Sequence, residues 1–271
     1  MQSILKVAIK AAHLAGDVIQ LAAKNLDQLT ISKKTHADYV SEVDKDAEHI
    51  IIQTIHDAYP THAILAEESG AQGGSEYLWI IDPLDGTTNF LHGYYQYSVS
   101  IALQHNGIII HGVVYDPIKN ELFTATKGHG AFLNDKLIHV SKCTELANSV
   151  IATGFPYSKL DHLDAYMSIL RDMIRKTAGL RRPGSAALDL AYTAAGRFDG
   201  FFETGLKSWD IAAGCLLITE AGGLVGDLQG NNSYLSSGHI CGGNPTVFAH
   251  LLQVIAPHLT EQLKSASINI S

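Results

Sequence analysis

The 271-residue chain is long enough for one large domain, or for two closely apposed halves, with a sizeable core. Hydrophobic residues make up 46% and charged residues 17% of it, which excludes a disordered or fibrous protein. The formal charge of -8, from 27 acidic against 19 basic residues, excludes broad electrostatic attraction to nucleic acid or anionic membrane but leaves room for a local basic patch.

Along the chain, Ile4, Leu5, Ala8, Ala11, Ala12, Ala15, Val18, Ile19 and Ala22 fall at helical spacing and form one apolar stripe, so the chain opens with an amphipathic helix. A loop carrying Lys33 and Lys34 follows. Val43, Ala47, Ile50, Ile51, Ile55 and Ala58 then repeat the helical pattern until Pro60 blocks it. From Leu78 the pattern changes to short apolar runs rich in β-branched and aromatic residues, at 78–81, 99–103, 108–115 and 122–125, which read as strands of one sheet. Asn106-Gly107 between two of them tolerates positive φ and predicts a tight antiparallel hairpin.

Beyond a soft boundary near 145–150, helices are expected over 161–176, 185–195 and 209–221, the last two stopped by Gly196 and by Gly222-Gly223. A strand is expected over 198–202 and a final helix after Asn244-Pro245. Mixed helices and strands without strict βαβ repetition indicate an α+β layered architecture, with no internal repeat and no convincing linker.

The chemistry concentrates in three stretches. In "ILAEESG" a short strand over 64–66 delivers Glu67 and Glu68 to its end, where adjacent side chains face opposite ways. In "WIIDPLDGTTNF" a buried strand ends where Pro83 removes a ladder donor and Gly86 permits a sharp turn, so Asp82 and Asp85 leave it together. No Lys or Arg in that stretch neutralises them. Two converging carboxylates repel and lose hydration unless a cation sits between them, and the donors on offer are all oxygens, backbone carbonyls such as that of Leu84 included. Hard oxygen ligation favours magnesium or manganese over zinc. Gly86-Thr87-Thr88-Asn89 reads as the start of a short helix whose free N–H groups can hold an anion. In "ETGLKSWDIAAG", Asp210 opens an apolar helix. Taken singly, these stretches also fit plainer roles: a solvated strand end, an Asp-rich turn capping a helix, and an acid complementing a helix dipole.

Five further features carry less. "KGHGAFLND" has glycines around His129 but no Walker spacing and reads as a plain turn. The fourteen histidines include no HExxH pair, and Ser185 in "GSAAL" lacks a nucleophile elbow and reads as a cap or packing residue. Arg181-Arg182 is the one local basic feature and reads as a solvated pair ahead of a helix. Cys143, Cys215 and Cys241 are too few and too scattered for a disulfide framework or thiolate zinc site. With no basic-then-apolar leader and no run of roughly 18 apolar residues, a cytoplasmic location without membrane association is expected.

"AEES", "WIIDPLDGTTNF", "RRPGSAALDLAYTAAGRFDGFFE" and "WDIAAG", in that order, resemble the inositol monophosphatase family, particularly its bacterial members. The similarity runs from the first helix to about residue 250. It implies a layered α/β/α/β/α sugar-phosphatase fold built as one catalytic domain over 1–271, whose halves meet near 145–150. It further implies a homodimeric, lithium-sensitive phosphatase with two or three Mg²⁺ per site, acting on monoesters such as myo-inositol 1-phosphate. Position by position, it places Glu67, Asp82 and the Leu84 carbonyl at a first metal, with Asp82 bridging to a second held by Asp85 and Asp210. Thr87 and Asp44 would orient the attacking water alongside Glu67, and the Gly86 and Thr87 N–H groups would hold the phosphate. Asp85, Ala186, Glu203 and Asp210 would face the sugar hydroxyls, and Lys33 would approach when its loop closes. Related families sharing the DPxDGT core act on fructose bisphosphate or phosphoadenosine phosphate, and bacterial relatives point to a transcription-machinery partner. Departures from the pattern lie in loops, at 70–75 and before Pro183.

Overall fold

The computed structural model describes residues 2–28, 31–35, 38–157 and 160–264. In chain order the first half runs α1 (Gln2–Ala22), β1 (Ile31–Thr35), β2 (Asp38–Ser41), α2 (Glu42–Ala58), β3 (Ala63–Ala66), β4 (Gly70–Gln72), β5 (Tyr77–Asp85), α3 (Thr87–Leu91), β6 (Ser98–His105), β7 (Ile108–Asp116), β8 (Glu121–Thr126), β9 (Ala131–Leu133) and β10 (Lys136–Ile138). The second half runs β11 (Val150–Thr153), α4 (Leu163–Lys176), β12 (Gly179–Arg181), α5 (Ala186–Ala194), β13 (Gly200–Glu203), α6 (Ser208–Glu220), β14 (Leu224–Gly226), α7 (Tyr234–Ser237), β15 (Ile240–Gly243), α8 (Pro245–Ile255) and α9 (Glu261–Lys264).

Strands β10-β9-β8-β7-β6-β5-β3-β4 form an eight-stranded sheet, and β12-β11-β13-β15-β14 form a five-stranded one. The larger sheet is antiparallel except where β3 runs parallel to β5. Side-chain alternation assigns the layers. Trp79, Ile81, Ile101, Leu103, Val113 and Tyr115 pack with α1 and α2. Their neighbours Ile80, Ala102 and Val114 turn to the other face and pack with α5 and α6. The smaller sheet repeats the logic: Ala152, Phe201 and Ile240 meet α5 and α6, while Ile151, Phe202 and Cys241 meet α4 and α8. The result is the α/β/α/β/α layering that the resemblance implied, with α5 and α6 sandwiched between the sheets.

That sandwiched position explains the composition of α6, which is buried from Ile211 to Ile218 on every side and so has no polar face. Its approach to α5 is close enough that a Cβ on Gly214 would lie 2.4 Å from the Leu190 Cβ. Asn106 and Gly107, at φ 48° and 80°, make the expected tight hairpin between antiparallel β6 and β7. Asn244 caps α8 by accepting from the Thr246 and Val247 N–H groups.

Three expectations need correction. The segment with Lys33 and Lys34 is not a loop, since β1 and β2 pair as an antiparallel ribbon; how the Lys33 side chain approaches the site lies outside the described residues. Pro83 does not end its strand, because pairing with β6 resumes at Asp85. "KGHGAFLND" is more than a turn. It begins the β9–β10 hairpin, and the N–H groups of Gly128, His129 and Gly130 converge on the Glu220 carboxylate at 2.8, 3.1 and 2.9 Å. The glycines do make an anion nest, and the chain's own glutamate fills it. The three cysteines are free thiols. Among the described residues no helix is long and apolar enough to cross a membrane.

Candidate active site

Glu67 and Asp82 are placed by strand register. In the parallel pair, Ala66 sits opposite Ile81. The Glu67 N–H extends that pairing by donating to the Ile81 carbonyl at 3.1 Å, so the next residues, Glu67 just past β3 and Asp82 within β5, lie side by side.

Asp85 joins them through an irregularity. In a regular strand, residues three apart point to opposite faces. Here Asp82 pairs with Ser100 and Asp85 with Ser98, three steps on β5 against two on β6. Pro83 lacks an N–H, so an extra residue costs the ladder nothing there, and the bulge restores both aspartates to one side. The Leu84 N–H turns back to Asp82 Oδ1 at 3.0 Å.

Asp210 arrives from the second half of the chain, in the first turn of α6, where Oδ2 accepts the Lys207 N–H at 2.7 Å. Ser100 Oγ donates to the Trp209 carbonyl at 3.2 Å and ties that turn to β6. Asp85 is gripped from the same half, its Oδ2 accepting from Ser185 Oγ at 2.5 Å and from the Ala187 N–H at 2.8 Å.

The electrostatics show that these acids form one cluster. Burial, followed by the charges of Glu67, Asp85 and Asp210, holds Asp82 well above the usual carboxylate range. Burial and then Asp85 and Glu67 do the same to Asp210. Burial pushes Asp85 to about 6 against the opposing hydrogen bonds of Ser185, Ala187 and Ala186. Burial, Asp210 and Asp85 push Glu203 to about 8, with Arg182 opposing. Glu203 and Asp210 are only half-buried by surface, because they open on a cavity, yet protein encloses their other sides and burial still dominates. That cavity, of about 140 Å³, is walled by Asp85, Ala186, Asp189, Glu203, Asp210 and Arg182.

Thr87 and Asp44 meet beside the cluster. Gly86 turns the chain at φ 93°, where a Cβ would lie 3.0 Å from the Gln96 carbonyl oxygen and 3.2 Å from that of Gly184, so only glycine fits. Thr87 then starts α3, and its hydroxyl lies 2.8 Å from Asp44 Oδ1 and 3.0 Å from the Leu84 carbonyl. Asp44 Oδ2 accepts the N–H and hydroxyl of Ser41 at 2.8 and 2.6 Å. One carboxylate thus caps α2 and fixes the threonine.

Every candidate with a described side chain therefore comes to this corner of the molecule. The oxygens do not close a coordination sphere: among the described residues, no three His, Cys, Asp or Glu side chains are arranged to hold a metal ion. Repulsion among unneutralised carboxylates opposes such closure. The donor set nevertheless suits a hard divalent cation, because it is all oxygen and the charges acting on Asp82 are all negative.

Sequence reading missed four contributors. Ser185 does cap α5, accepting the Leu188 N–H, but its grip on Asp85 is a contact across 100 residues. Asn89 donates to the Gln96 and Pro183 carbonyls at 2.7 and 2.9 Å and fastens α3 to the loop before α5. Glu48 reaches the turn after β3. Asp189 is 1% exposed, and its Oδ1 has no hydrogen-bond partner; an acid inside the apolar run "AALDLAY" was the signal. Arg181 and Arg182 are both exposed, as the solvated-pair reading expects, but Arg182 also lines the cavity and lies 5.4 and 5.1 Å from the Phe155 and Tyr157 ring centres.

A layered fold that gathers acids from both halves at one cavity defines a phosphatase-type hydrolase scaffold, and comparison with known proteins supports this. The inositol monophosphatase family profile matches residues 1–264, and the chain belongs to that family. It is 48% identical over 270 residues to the Nus factor SuhB of Pseudomonas aeruginosa, covering 97% of this chain and all of that relative. Among solved structures, the extragenic suppressor protein SuhB of Bartonella henselae superimposes with a TM-score of 0.91 at 44% identity, over 93% of this chain and 98% of the other. The inositol monophosphatase of Anabaena gives 0.82 at 38% identity, over 94% and 96%.

Proposed function

We propose that this chain, acting as one catalytic unit, is a magnesium-dependent phosphatase that hydrolyses monoesters of small polyols, of which myo-inositol 1-phosphate is the type. The observation that carries the reading is a mutually repelling acid cluster that opens on a cavity through Asp85, Glu203 and Asp210, with the hydrogen-bonded Thr87–Asp44 pair held beside it at the Leu84 carbonyl. Glu67, Asp82, the Leu84 carbonyl, Asp85 and Asp210 would hold two or three Mg²⁺, or Mn²⁺ in their place. Bound there, the cation would supply Lewis-acid neutralisation of phosphoryl charge and make water more acidic.

The remaining work falls to the chain's own residues. Thr87 donates its hydroxyl proton to Asp44 and so presents a lone pair that can orient an attacking water, whose proton passes toward Asp44. The N–H groups of Gly86 and Thr87 would hold the phosphate oxygens. Ser185 and Ala187 keep Asp85 from swinging toward the other acids. Ala186 leaves room for the polyol ring, and the Glu203 carboxyl, which lines the cavity, can hydrogen-bond a sugar hydroxyl. Phosphoryl transfer needs positioning and charge neutralisation more than covalent help.

Phosphate release should be measured with inositol monophosphates, fructose bisphosphate, nicotinamide-dinucleotide phosphate and phosphoadenosine phosphate, with and without Mg²⁺. The reading expects Mg²⁺-dependent release, fastest from the inositol esters. Preference for fructose bisphosphate or phosphoadenosine phosphate would move the chain to a related activity, and no release from any ester would overturn it.

A second reading is a dimeric scaffold that binds the transcription machinery with phosphatase activity secondary, favoured by the name Nus factor carried by the Pseudomonas aeruginosa relative. Pull-down with wild type, Asp85→Asn and Arg181→Ala separates the two, since partner capture lost only in the arginine variant supports the scaffold.

A further inference from the structure

α2 reaches the candidate metal site twice. Asp44 lies in its first turn and Glu48 one turn later, so the two side chains share a face of the helix. Asp44 goes to Thr87. Glu48, 4% exposed, goes elsewhere: Oε2 accepts the Glu68 N–H at 2.8 Å and Oε1 the Ser69 N–H at 2.9 Å. Those amides belong to the turn at residues 67–69, between β3 and β4, which carries Glu67. On its other side the same turn is tied to β5 by the Glu67 N–H.

We infer that Glu48 is a positioning residue: its carboxylate clamps the two amides after Glu67, fixes where the Glu67 side chain leaves the turn, and thereby sets the affinity of the site for a divalent cation. The inference rests on the phosphatase reading above and deepens it. A buried glutamate is a costly residue, tolerated when its oxygens are well satisfied, and two charge-assisted bonds to consecutive amides satisfy it. Remove the charge and one amide faces a like donor across the buried Glu48 side chain, so the turn shifts to find other partners. A shift of the turn moves Glu67 relative to Asp82, whose separation the parallel register otherwise fixes. Partners that orient a metal ligand typically change affinity by about 10- to 100-fold when mutated. A purely structural role would instead lower stability and leave the cation's affinity unchanged.

The test is Mg²⁺ binding to the full chain by titration calorimetry, beside thermal melting and Mg²⁺ activation of phosphate release. In Glu48→Gln, Mg²⁺ binding should weaken by about 10- to 100-fold. Half-activation should move to higher Mg²⁺ by a similar factor, while kcat at saturating Mg²⁺ stays close to wild type. Glu48→Asp, which keeps the charge but withdraws it by one methylene, should shift both in the same direction by less. Unchanged Mg²⁺ affinity in a folded variant, with the wild type active, overturns the inference and leaves the phosphatase reading standing. A wild type that binds Mg²⁺ but releases no phosphate defeats that reading without touching the inference. Should both variants fail to fold, amide exchange in the wild type decides: the Glu68 and Ser69 amides should be protected and slowed further by Mg²⁺, and exchange indifferent to Mg²⁺ rejects the clamp.

Discussion

Two acidic corners of the same site are built on opposite principles. At the start of α2, Asp44 has both oxygens engaged, by Ser41 on one side and Thr87 on the other, and no neighbouring acid is needed to explain its place. Beside it gather Asp82 and Asp85, both buried, and Asp210 and Glu203, both half-buried, each with its carboxyl raised. The first corner is complete as the chain folds it. The second stores repulsion that opposes folding until a bound cation relieves it, so cation binding would favour the folded chain there.

The largest effect that tests this contrast is Asp85→Asn. On the proposed reading the change removes a carboxylate ligand of the cation and with it several kcal/mol of charge stabilisation, and turnover should fall by about 10³-fold or more. The same change removes one repelling charge, so the metal-free variant should melt no lower than wild type. Asp44→Asn should do the reverse to stability, lowering the melting temperature because it breaks a satisfied capping arrangement. Wild-type-like hydrolysis by Asp85→Asn would reject the cation assignment. Thr87→Val comes next: it keeps shape but loses the hydroxyl bonded to Asp44, which on the proposed reading orients the water, and kcat should drop about 10²-fold. Ser185→Ala should cost about tenfold, the worth of one charge-assisted hydrogen bond, by letting Asp85 move.

Acidity sharpens the comparison without touching the chemistry. A carboxyl raised on folding holds its proton to higher pH in the folded chain than in the unfolded one, so stability falls as pH rises between the two pKa values. For Asp85 that window runs from 3.8 to about 6, and for Glu203 from 4.5 to about 8. The metal-free protein should therefore melt at lower temperature at pH 8 than at pH 5, by about 2–4 °C for each kcal/mol of penalty. Saturating Mg²⁺ should flatten the decline, and Glu203→Gln should remove its upper part. A melting temperature that rises steadily from pH 5 to 8 without metal would contradict the repulsive cluster.

The parts of this site that were legible in the sequence are those set by local rules. Helical spacing located α1 and α2; Gly222-Gly223 marked the end of α6; Asn106-Gly107 marked its hairpin; and acids at element ends pointed to Glu67, Asp82, Asp85 and Asp210. What stayed hidden depends on the third dimension. Pro83 looked like a strand stop, since only the partner strand's Ser98 and Ser100 reveal that the ladder skips a residue and continues. Ser185 was read correctly as a cap, but a bond to Asp85 across 100 residues leaves no local trace. The short strands β11, β12, β14 and β15 escaped because three or four residues carry too little periodicity to separate strand from coil.

The smallest prediction concerns the far end of α6, the helix whose first turn carries Asp210. A carboxylate at a helix C-terminus is unfavourable to the dipole, yet Glu220 sits there because three amides of the 128–130 turn receive it. Glu220→Gln keeps the side chain's length but removes the charge that makes those bonds strong, while partly relieving the dipole clash. The two effects oppose, and because the turn is solvent-exposed the net loss should be about 1 kcal/mol, a fall of about 2–4 °C in melting temperature. Turnover and Mg²⁺ activation should stay unchanged, because this carboxylate lies in a satisfied nest at the opposite end of the helix from the cavity. If Glu220→Gln instead altered Mg²⁺ activation, α6 would be transmitting strain along its length to Asp210, and the acid cleft could not be treated as a local balance of charges.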